Sequence, residues 1–267
     1  MAAKFTVSSF RKMKNENHKI IMLTAYDAIS AQMAAQGGVE VILVGDSMAN
    51  TALGYENTLP LTLDEAIYHA RAVRRGAPDK FIIGDMPFLT TGVEEAESIR
   101  NAGRYLREGA CNAIKLEGGK ELSPLINRLV GCGIPVMAHI GLLPQHLLTA
   151  GGYRITGRKD EDVERLIEDA KSVEAAGAFA LVLECMPQAC AEKITAAINI
   201  PTIGIGAGSG CSGQVQVISD LLGLLGQNIP KHAKRYAEFH ELGINAVKAY
   251  VDDVNSGVFP AESNTFN

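Results

Sequence analysis

Short apolar runs, rich in β-branched residues, recur along the whole chain, and each is about as long as a strand. Near-continuous apolarity predicts strands that are buried on both faces, as in a parallel sheet. The last run is weaker than the others because Gly223 interrupts it. The eight candidate strands are Ile20–Leu23, Val41–Val44, Phe81–Ile83, Ala113–Leu116, Pro135–Ala138, Ala180–Leu183, Pro201–Ile205 and a segment within Val215–Leu225.

Amphipathic stretches fill the gaps between these runs and predict helices. Thr62 with Glu65, and Thr91 with Glu94, have the Thr-x-x-Glu spacing of a capping box, in which two side chains satisfy free amides at a helix start. A third stretch ends at Gly177, a residue type that commonly closes helices. The predicted helices are Ala66–Arg75, Ala96–Glu108, Asp160–Ala176 and Lys231–Val254, with an irregular tail over Phe259–Asn267.

The order of these elements predicts the fold class. Strand and helix alternate about eight times, which favours a closed (βα)₈ TIM barrel and leaves an open doubly wound sheet as the alternative. The length of 267 residues matches a barrel that forms one domain of roughly 250 residues. We therefore expect a single barrel domain over residues 1–267, with a C-terminal helical extension from about residue 231 to residue 267.

Composition and charge narrow the classes of function. Acidic and basic residues are mixed along a chain of net charge −5, and the basic stripe of a nucleic-acid-binding protein is missing from the sequence. No apolar run reaches the ~18 residues of a membrane span, and the polar, basic start predicts no secretory signal, so we expect a cytoplasmic protein. Five cysteines without a Cys-x-x-Cys pair predict small, mostly buried side chains rather than disulfides or a zinc site.

An acid or a histidine stands at the carboxyl end of five consecutive candidate strands, the second to the sixth: Asp46, Asp85, Glu117, His139 and Glu184. In a barrel these ends converge on one mouth, where active sites lie. An aspartate after a strand is often a helix N-cap or a turn residue, and a lone histidine is more often a hydrogen-bonded core residue than a ligand. Capping does not call for glutamate, however, and all five residues must be explained at once, so we favour a shared site.

Three of these acids have the chemistry of a magnesium site. Asp46, Asp85 and Glu117 are hard oxygen donors on adjacent strands, and Mg²⁺ takes such ligands together with water or substrate oxygens. Without a cation, three clustered carboxylates would repel one another and raise one another's pKa values. We therefore predict that Asp46, Asp85 and Glu117 hold Mg²⁺.

The other polar residues near the mouth are candidates for substrate binding and proton transfer. Lys115 lies two residues before Glu117, so both side chains leave the same face of one strand. A lysine in a barrel mouth needs an anion, which is either one of the acids in a salt bridge or the carboxylate or enolate oxygen of a substrate. Ser47 can donate a hydrogen bond to the same anion. Glu184, two strands beyond the predicted metal ligands, is better placed as a general base than as a fourth ligand.

A glycine-rich segment at residues 204–210 has some likeness to a nucleotide-binding loop, since Gly208-x-Gly210-x-x-Gly213 matches Gly-x-Gly-x-x-Gly. The match is weak because Asp220 comes too early for the acidic residue that follows the dinucleotide fingerprint by about 20 residues. A phosphate site after the seventh barrel strand is a stronger functional alternative. We favour the simpler interpretation, that these glycines let a loop turn tightly past a ligand or a neighbour.

A set of motifs occurs in order from one end of the chain to the other. The most specific are Val-Gly-Asp-Ser at 44–47, Lys-Leu-Glu-Gly-Gly at 115–119 and Leu-Glu-Cys-Met-Pro at 183–187. The others are Leu23–Asp27, Thr58–Pro60, Asp85–Phe88, His139–Gln145, Gly151–Tyr153, Gly157–Arg158, Ile203–Gly208 and Ile229–Lys231. Together they resemble the ketopantoate hydroxymethyltransferase family, and the resemblance covers nearly the whole chain.

The resemblance implies a reaction of pantothenate biosynthesis, in which 5,10-methylenetetrahydrofolate and 3-methyl-2-oxobutanoate give 2-dehydropantoate and tetrahydrofolate. It implies a homo-oligomer, because the family assembles as a decamer of barrels, and it assigns the proton acceptor to Glu184. It assigns the contacts of Mg²⁺ to Asp46, Asp85 and Glu117, and the contacts of the 2-oxo acid to Ser47, Asp85 and Lys115. His139 matches a residue of the barrel mouth in the family, and we include it and Asp46 among the predicted substrate-binding residues.

The residue-based site and the resemblance agree on the chemistry. A 2-oxo acid can chelate Mg²⁺ through its carboxylate and keto oxygens, which acidifies the adjacent C–H; Glu184 takes the proton, and the enolate carbon attacks the one-carbon unit. One alternative is a magnesium-dependent carbon–carbon lyase of the isocitrate lyase type, but the sequence lacks the loop motif with a catalytic cysteine that such enzymes usually carry. Another is a barrel that only binds a small anion, but three clustered carboxylates without a metal are destabilising.

Overall fold

Eight parallel strands close into a barrel, in which each strand is hydrogen-bonded to the next along the chain and the last is hydrogen-bonded to the first. This arrangement confirms the predicted (βα)₈ fold and excludes the open doubly wound sheet. The strands are β1 (Ile20–Thr24), β2 (Val41–Val44), β3 (Phe81–Asp85), β4 (Ala113–Glu117), β5 (Val136–Gly141), β6 (Ala180–Glu184), β7 (Thr202–Ile205) and β8 (Gly213–Gln216).

Helices alternate with these strands in the computed structural model, which describes residues 5–226 and 229–266. The helices are α1 (Val7–Asn15), α2 (Ala28–Gln36), α3 (Met48–Thr51), α4 (Leu63–Gly76), α5 (Glu95–Arg107), α6 (Ser123–Gly131), α7 (Leu147–Ala150), α8 (Asp160–Ala175), α9 (Gln188–Ala197), α10 (Ile218–Leu222) and α11 (Phe239–Ser256). Short 3₁₀ turns occur at Lys120–Leu122, Pro144–His146 and Glu262–Asn264. Across the described residues, no helix has both the length and the apolar character needed to cross a membrane.

The chain divides into two units, residues 1–218 and residues 219–267, which we describe separately. The first unit contains the barrel, and the second contains α11. The predicted start of the C-terminal helix at Lys231 is wrong, because α11 begins at Phe239. In the intervening segment the backbone amide of Tyr236 donates to the carbonyl of Leu221 at 2.8 Å, rather than to a carbonyl four residues earlier as a helix requires.

The eighth strand lies earlier in the chain than predicted. Strand β8 begins at Gly213, and the following residues from Ile218 form α10 instead of continuing the strand. Polar Gln214 and Gln216 alternate with apolar Val215 in β8, so the strand is not a continuous apolar run. Its place is set by pairing with both of its neighbours in the closed barrel rather than by its own hydrophobicity.

One of the two predicted capping boxes is present. The hydroxyl of Thr62 accepts from the amide of Glu65 at 3.3 Å, and the Glu65 carboxylate accepts from the amide of Thr62 at 2.9 Å, at the start of α4. The box predicted from Thr91 is wrong, because α5 begins at Glu95. Gly92 has a φ of +85°, so the residues after Thr91 cannot form the first helical turn that a capping box needs.

Aromatic side chains fill the amino-terminal end of the barrel. Phe10 of α1 is fully buried, and its ring centroid lies 5.1 Å from that of Phe5, 5.3 Å from that of Phe81 and 4.9 Å from that of Phe179. Phe81 begins β3, and Phe179 immediately precedes β6. Edge-to-face packing of this kind closes the end of the barrel with apolar surface, which leaves the opposite end for polar residues.

Three of the cysteines are buried as predicted. These three are Cys111, Cys190 and Cys211. Cys132 is exposed instead, and Cys185 is partly exposed. The buried thiols therefore serve as small apolar side chains of the barrel unit.

Candidate active site

The polar residues singled out in the sequence lie together at the carboxyl-terminal end of the barrel. Asp85, Glu117 and Glu184 are the last residues of β3, β4 and β6, and His139 lies within β5. Asp46 follows β2 after a single glycine. The ladder between β4 and β5 pairs Glu117 directly with His139. Closure of the barrel thus brings residues that are distant in sequence to the same mouth.

Asp46, Asp85 and Glu117 form a buried acidic cluster with Lys115. The Lys115 Nζ atom lies 2.7 Å from Asp85 Oδ1 and 3.4 Å from Glu117 Oε1. The backbone amide of Asp46 donates to Asp85 Oδ2 at 3.1 Å. Asp46 and Lys115 are each 4% exposed, and Asp85 is 2% exposed. Lys115 therefore forms a salt bridge with the acids, which was one of the two partners predicted for it. The contact of Lys115 with a substrate anion stays a prediction.

The pKa values in the cluster reflect burial and the charges of the neighbouring side chains. Burial raises the pKa of Asp46 well above its usual value, and the charges of Asp85 and Glu117 raise it further. Burial also raises the pKa of Asp85, although Lys115 opposes the change. Burial acts in the same direction on Glu117, but Lys115 and a contact with His139 lower its pKa to about 2. One lysine does not neutralise three carboxylates, so the cluster favours a further cation.

His139 lies between two glutamates. Its Nδ1 atom is 3.7 Å from Glu117 Oε1, and its Nε2 atom is 3.2 Å from Glu184 Oε2. The imidazole side chain is 1% exposed, whereas that of Glu184 is 16% exposed. Burial and the charge of Lys115 lower the pKa of His139, but the two glutamates outweigh them and raise it to about 9. His139 therefore contacts both glutamates, and Glu184 is the more accessible member of its pair with the histidine.

Ser47 belongs to a chain of hydroxyl groups. The backbone amide of Ile218 donates to Thr24 Oγ1 at 3.0 Å, and Thr24 Oγ1 donates to the Tyr26 hydroxyl at 2.9 Å. The Tyr26 hydroxyl lies 2.9 Å from Ser47 Oγ. Thr24 and Tyr26 are buried, and neither was identified as a site residue from the sequence, although both lie in one of the motifs that carry the resemblance.

Gln145 is a third site residue that was not identified from the sequence. It lies in the 3₁₀ turn after β5, and its Nε2 atom donates to Asp46 Oδ2 at 2.9 Å and to the Met86 carbonyl at 2.8 Å. Its backbone amide donates to Glu117 Oε2 at 3.0 Å. The available signal was its place at the end of the motif that begins with His139, but polarity alone does not distinguish such a glutamine from a surface residue.

Helix capping does not explain Asp46. Helix α3 begins after Ser47, whose side chain makes no capping hydrogen bond. One carboxylate oxygen of Asp46 instead accepts the hydrogen bond from Gln145, which comes from the other side of the mouth. The side chain of Asp46 thus belongs to the acidic cluster rather than to the helix that follows it.

The glycine-rich loop between β7 and β8 packs closely against α9. Gly208 has a φ of +77°, and a Cβ atom there would lie 2.6 Å from the side chain of Gln188. A Cβ atom at Gly210 would lie 2.3 Å from Glu192 Cγ. These close approaches agree with the simpler interpretation of the glycines, and a glutamate carboxylate next to the loop disfavours a bound phosphate.

The mouth has suitable donors for a magnesium ion but not a preformed coordination sphere. Among the described residues, no group of three or more acidic, histidine or cysteine side chains is already arranged to coordinate a metal ion. Lys115 and Gln145 contact the oxygens of the acids instead. The oxygen donors and the surplus negative charge fit a hard divalent cation, and Asp46, Asp85 and Glu117 are the residues that would hold it.

Sequence comparison shows that the chain is similar to known enzymes. The sequence model described as ketopantoate hydroxymethyltransferase matches residues 4–262 of the chain. A 3-methyl-2-oxobutanoate hydroxymethyltransferase of Pseudothermotoga lettingae is 50% identical, over 97% of this chain and 98% of its own length. One of Pelobacter propionicus is 49% identical, over 100% of this chain and 99% of its own length.

Solved structures with a similar fold are more distant in sequence. A 2,3-dimethylmalate lyase, a member of the PEP mutase/isocitrate lyase superfamily, is 19% identical with a TM-score of 0.59, over 95% of this chain and 88% of that chain. A phosphoenolpyruvate phosphomutase from Streptomyces platensis subsp. rosaceus is 14% identical with a TM-score of 0.61, over 95% of this chain and 88% of that chain. At this level of identity the likeness concerns the barrel fold alone.

Proposed function

The chain belongs to the ketopantoate hydroxymethyltransferase family, and from this premise we propose how its residues carry out the reaction. The enzyme is a hydroxymethyltransferase that acts on 3-methyl-2-oxobutanoate, as its relatives are named. We propose that Glu184 removes the proton from C3 of this 2-oxo acid. The enolate carbon then takes a one-carbon unit from 5,10-methylenetetrahydrofolate, and one water supplies the oxygen of the new hydroxyl group, which gives 2-dehydropantoate and tetrahydrofolate.

The observation that supports this proposal best is the cluster of buried acids at one mouth with His139 and Glu184 beside it. Asp46, Asp85 and Glu117 would hold Mg²⁺, which supplies Lewis-acid polarisation of the 2-oxo group and so makes the neighbouring C–H more acidic. The carboxylates outnumber the cationic side chains that contact them, which is the balance that a divalent cation would correct.

Lys115 and Ser47 are the proposed contacts of the substrate anion. Lys115 is buried and positively charged, since Asp85 and Glu117 raise its pKa above the usual value although burial alone would lower it. A fixed charge of this kind stabilises an anionic substrate and the enolate formed from it. Ser47 is held through the hydroxyl of Tyr26, which limits the directions in which its own hydroxyl can donate.

Glu184 is the proposed general base, and His139 positions it. The 3.2 Å contact with His139 Nε2 fixes one oxygen of the Glu184 carboxylate. The remaining exposure of this side chain leaves it accessible to a small substrate at the mouth. A base must lie within hydrogen-bond reach of the proton that it removes, so the support from His139 contributes to the reaction through geometry.

An assay of the two substrates tests the reaction as a whole. We expect the purified chain to form tetrahydrofolate from 5,10-methylenetetrahydrofolate and 3-methyl-2-oxobutanoate. Removal of divalent cations with a chelator should abolish the activity, and added Mg²⁺ should restore it. Full activity in the chelated protein would refute the role of the metal, while the family assignment would stand.

Exchange of the substrate hydrogen tests the base. Replacement of Glu184 by Gln removes the proton acceptor but keeps the shape of the side chain, so exchange of the C3 hydrogen with D₂O should slow by at least about 100-fold. NMR of 3-methyl-2-oxobutanoate in D₂O measures the rate without the folate. Exchange at the wild-type rate in Glu184→Gln would show that another group is the base.

The lyase alternative predicts a different outcome of the same experiments. A carbon–carbon lyase of the isocitrate lyase type would cleave a hydroxy-diacid without a folate. Relatives at 50% and 49% identity over nearly the whole chain are hydroxymethyltransferases by name, whereas the 2,3-dimethylmalate lyase shares 19% identity. The hydroxymethyltransferase is therefore the function that we propose.

Assembly and location complete the proposal. We propose a homo-oligomer, and specifically a decamer as expected from the family resemblance. Support comes from α11, in which Val247, Tyr250 and Val254 are between 46% and 63% exposed in the single chain. Apolar side chains at helical spacing on one exposed face are typical of a surface that another copy covers. We also propose a cytoplasmic location, which cell fractionation tests.

A further inference from the structure

Gln145 connects three strands of the barrel at the mouth. Its side-chain amide bonds to Asp46, which follows β2, and to the carbonyl of Met86, which follows β3. Its backbone amide bonds to Glu117 at the end of β4. Two of the proposed metal ligands are thus held by one residue that belongs to neither of their strands.

The orientation of the Gln145 amide follows from its partners. Asp46 Oδ2 and the Met86 carbonyl oxygen are both acceptors, so the atom that faces them must be the amide nitrogen with its two hydrogens. The Asp46 carboxylate is therefore held by a neutral donor. Lys115 forms charged contacts with Asp85 and Glu117. Gln145 complements Lys115 by donating a hydrogen bond to the third acid, Asp46.

Gln145 also stands at the start of an exposed segment. It is half-buried, whereas most residues from 146 to 155 are exposed, among them Leu148, Tyr153 and Ile155 at 50% or more. Within the barrel unit, the bonds of Gln145 to the acidic cluster attach this segment to the mouth. The position of the acids and the order of the segment therefore depend on the same residue.

We propose that Gln145 is a positioning residue that fixes Asp46 and Glu117 relative to each other and ties the segment at 146–155 to them. The part that concerns magnesium rests on the proposed function above. Partners that orient metal ligands without touching the metal typically change metal affinity by about 10–100-fold when they are replaced. Gln145 thus serves the metal site and the loop beside it together.

Replacement of Gln145 by Met tests this proposal, because Met has a similar length and no donor. In calorimetric titration of the metal-free full chain, the dissociation constant for Mg²⁺ should rise by at least about tenfold. Gln145→Asn keeps the amide but is one methylene shorter, so it should show the same loss. Hydrogen exchange in peptides that cover residues 146–155 should be faster in both variants, even without magnesium.

Gln188→Met is the matched control, since the Gln188 amide donates to Glu192 outside the acidic cluster, at 2.8 Å. It should keep the wild-type magnesium affinity and exchange rates. Thermal melting without metal checks that every variant is folded. Wild-type affinity and exchange in folded Gln145→Met would overturn the inference alone, whereas a wild-type chain that binds no Mg²⁺ would overturn the metal site as well.

Discussion

Asp85 illustrates how much a single buried carboxylate does in this site. Its Oδ1 atom pairs with Lys115 at 2.7 Å, and its Oδ2 atom accepts the amide of Asp46 at 3.1 Å. Because the side chain is almost fully buried, water cannot replace either partner. Asp85 therefore holds both Lys115 of β4 and the turn at Asp46 that follows β2.

Replacement of Asp85 by Ala should weaken binding of both Mg²⁺ and 3-methyl-2-oxobutanoate by more than about tenfold, because it removes one proposed ligand and frees Lys115 from its closest partner. Separate calorimetric titrations measure the two affinities. Asp64→Ala is the control, since this aspartate pairs with Arg104 and its side chain is 80% exposed. Two unchanged titrations for Asp85→Ala would rule out a shared site.

Strands β5 and β6 carry the contact between His139 and Glu184, and their close approach depends on Gly141. Gly141 pairs with Glu184 in the ladder and has a φ of +106°. A Cβ atom there would lie 2.3 Å from the Glu184 carbonyl oxygen, which also accepts the amide of Leu142 at 2.9 Å. Any larger residue must therefore move the backbone that bears the proposed base.

Gly141→Ala should lower kcat by about 100-fold, because a displacement of the base by about 1 Å is enough for such an effect. Steady-state kinetics of the folded variant measures it. Gly103→Ala in α5 is the control, since a Cβ atom there would meet no atom of the described residues within 4 Å, and it should keep full activity with slightly greater stability. A wild-type kcat for Gly141→Ala would show that Glu184 tolerates the shift.

The molecule as a whole gains its site from barrel closure, while its second unit presents an apolar helix face. No residue of α11 is buried in the single chain, all of this helix being among the described residues. Val247, Tyr250 and Val254 recur at spacings of three and four residues. Most helical stability in proteins comes from packing of an apolar face, so this face is expected to pack in the assembled protein.

Sedimentation should therefore give a mass that is a multiple of the 28.4 kDa chain, and a decamer is the expected species. Val247→Lys places a charge on the apolar face and should shift the protein to smaller species. Asn245→Lys adds the same charge roughly opposite on the helix, about 200° away at ~100° per residue, and should not. A monomeric wild-type protein would refute the oligomer.

Local sequence patterns predicted those elements whose formation depends on nearby residues. The continuous apolar run of β2 and the capping box at Thr62 were correct, because burial on both faces and the capping hydrogen bonds depend on neighbours in the chain. The box at Thr91 failed through the left-handed backbone of Gly92. Strand β8 was misplaced, since its pairing partners rather than its own residues define it.

Residue order alone was enough to predict the barrel and the set of acids at its mouth, because strand periodicity and the polar ends of strands are local properties. The partners within the site depended on folding. Gln145 and Asp46 are 99 positions apart in the chain, and their hydrogen bond exists only because the barrel closes around a common mouth. Distances between atoms on different strands depend on strand register, which is the alignment of one strand with its neighbour. The sequence of a single segment therefore cannot determine them.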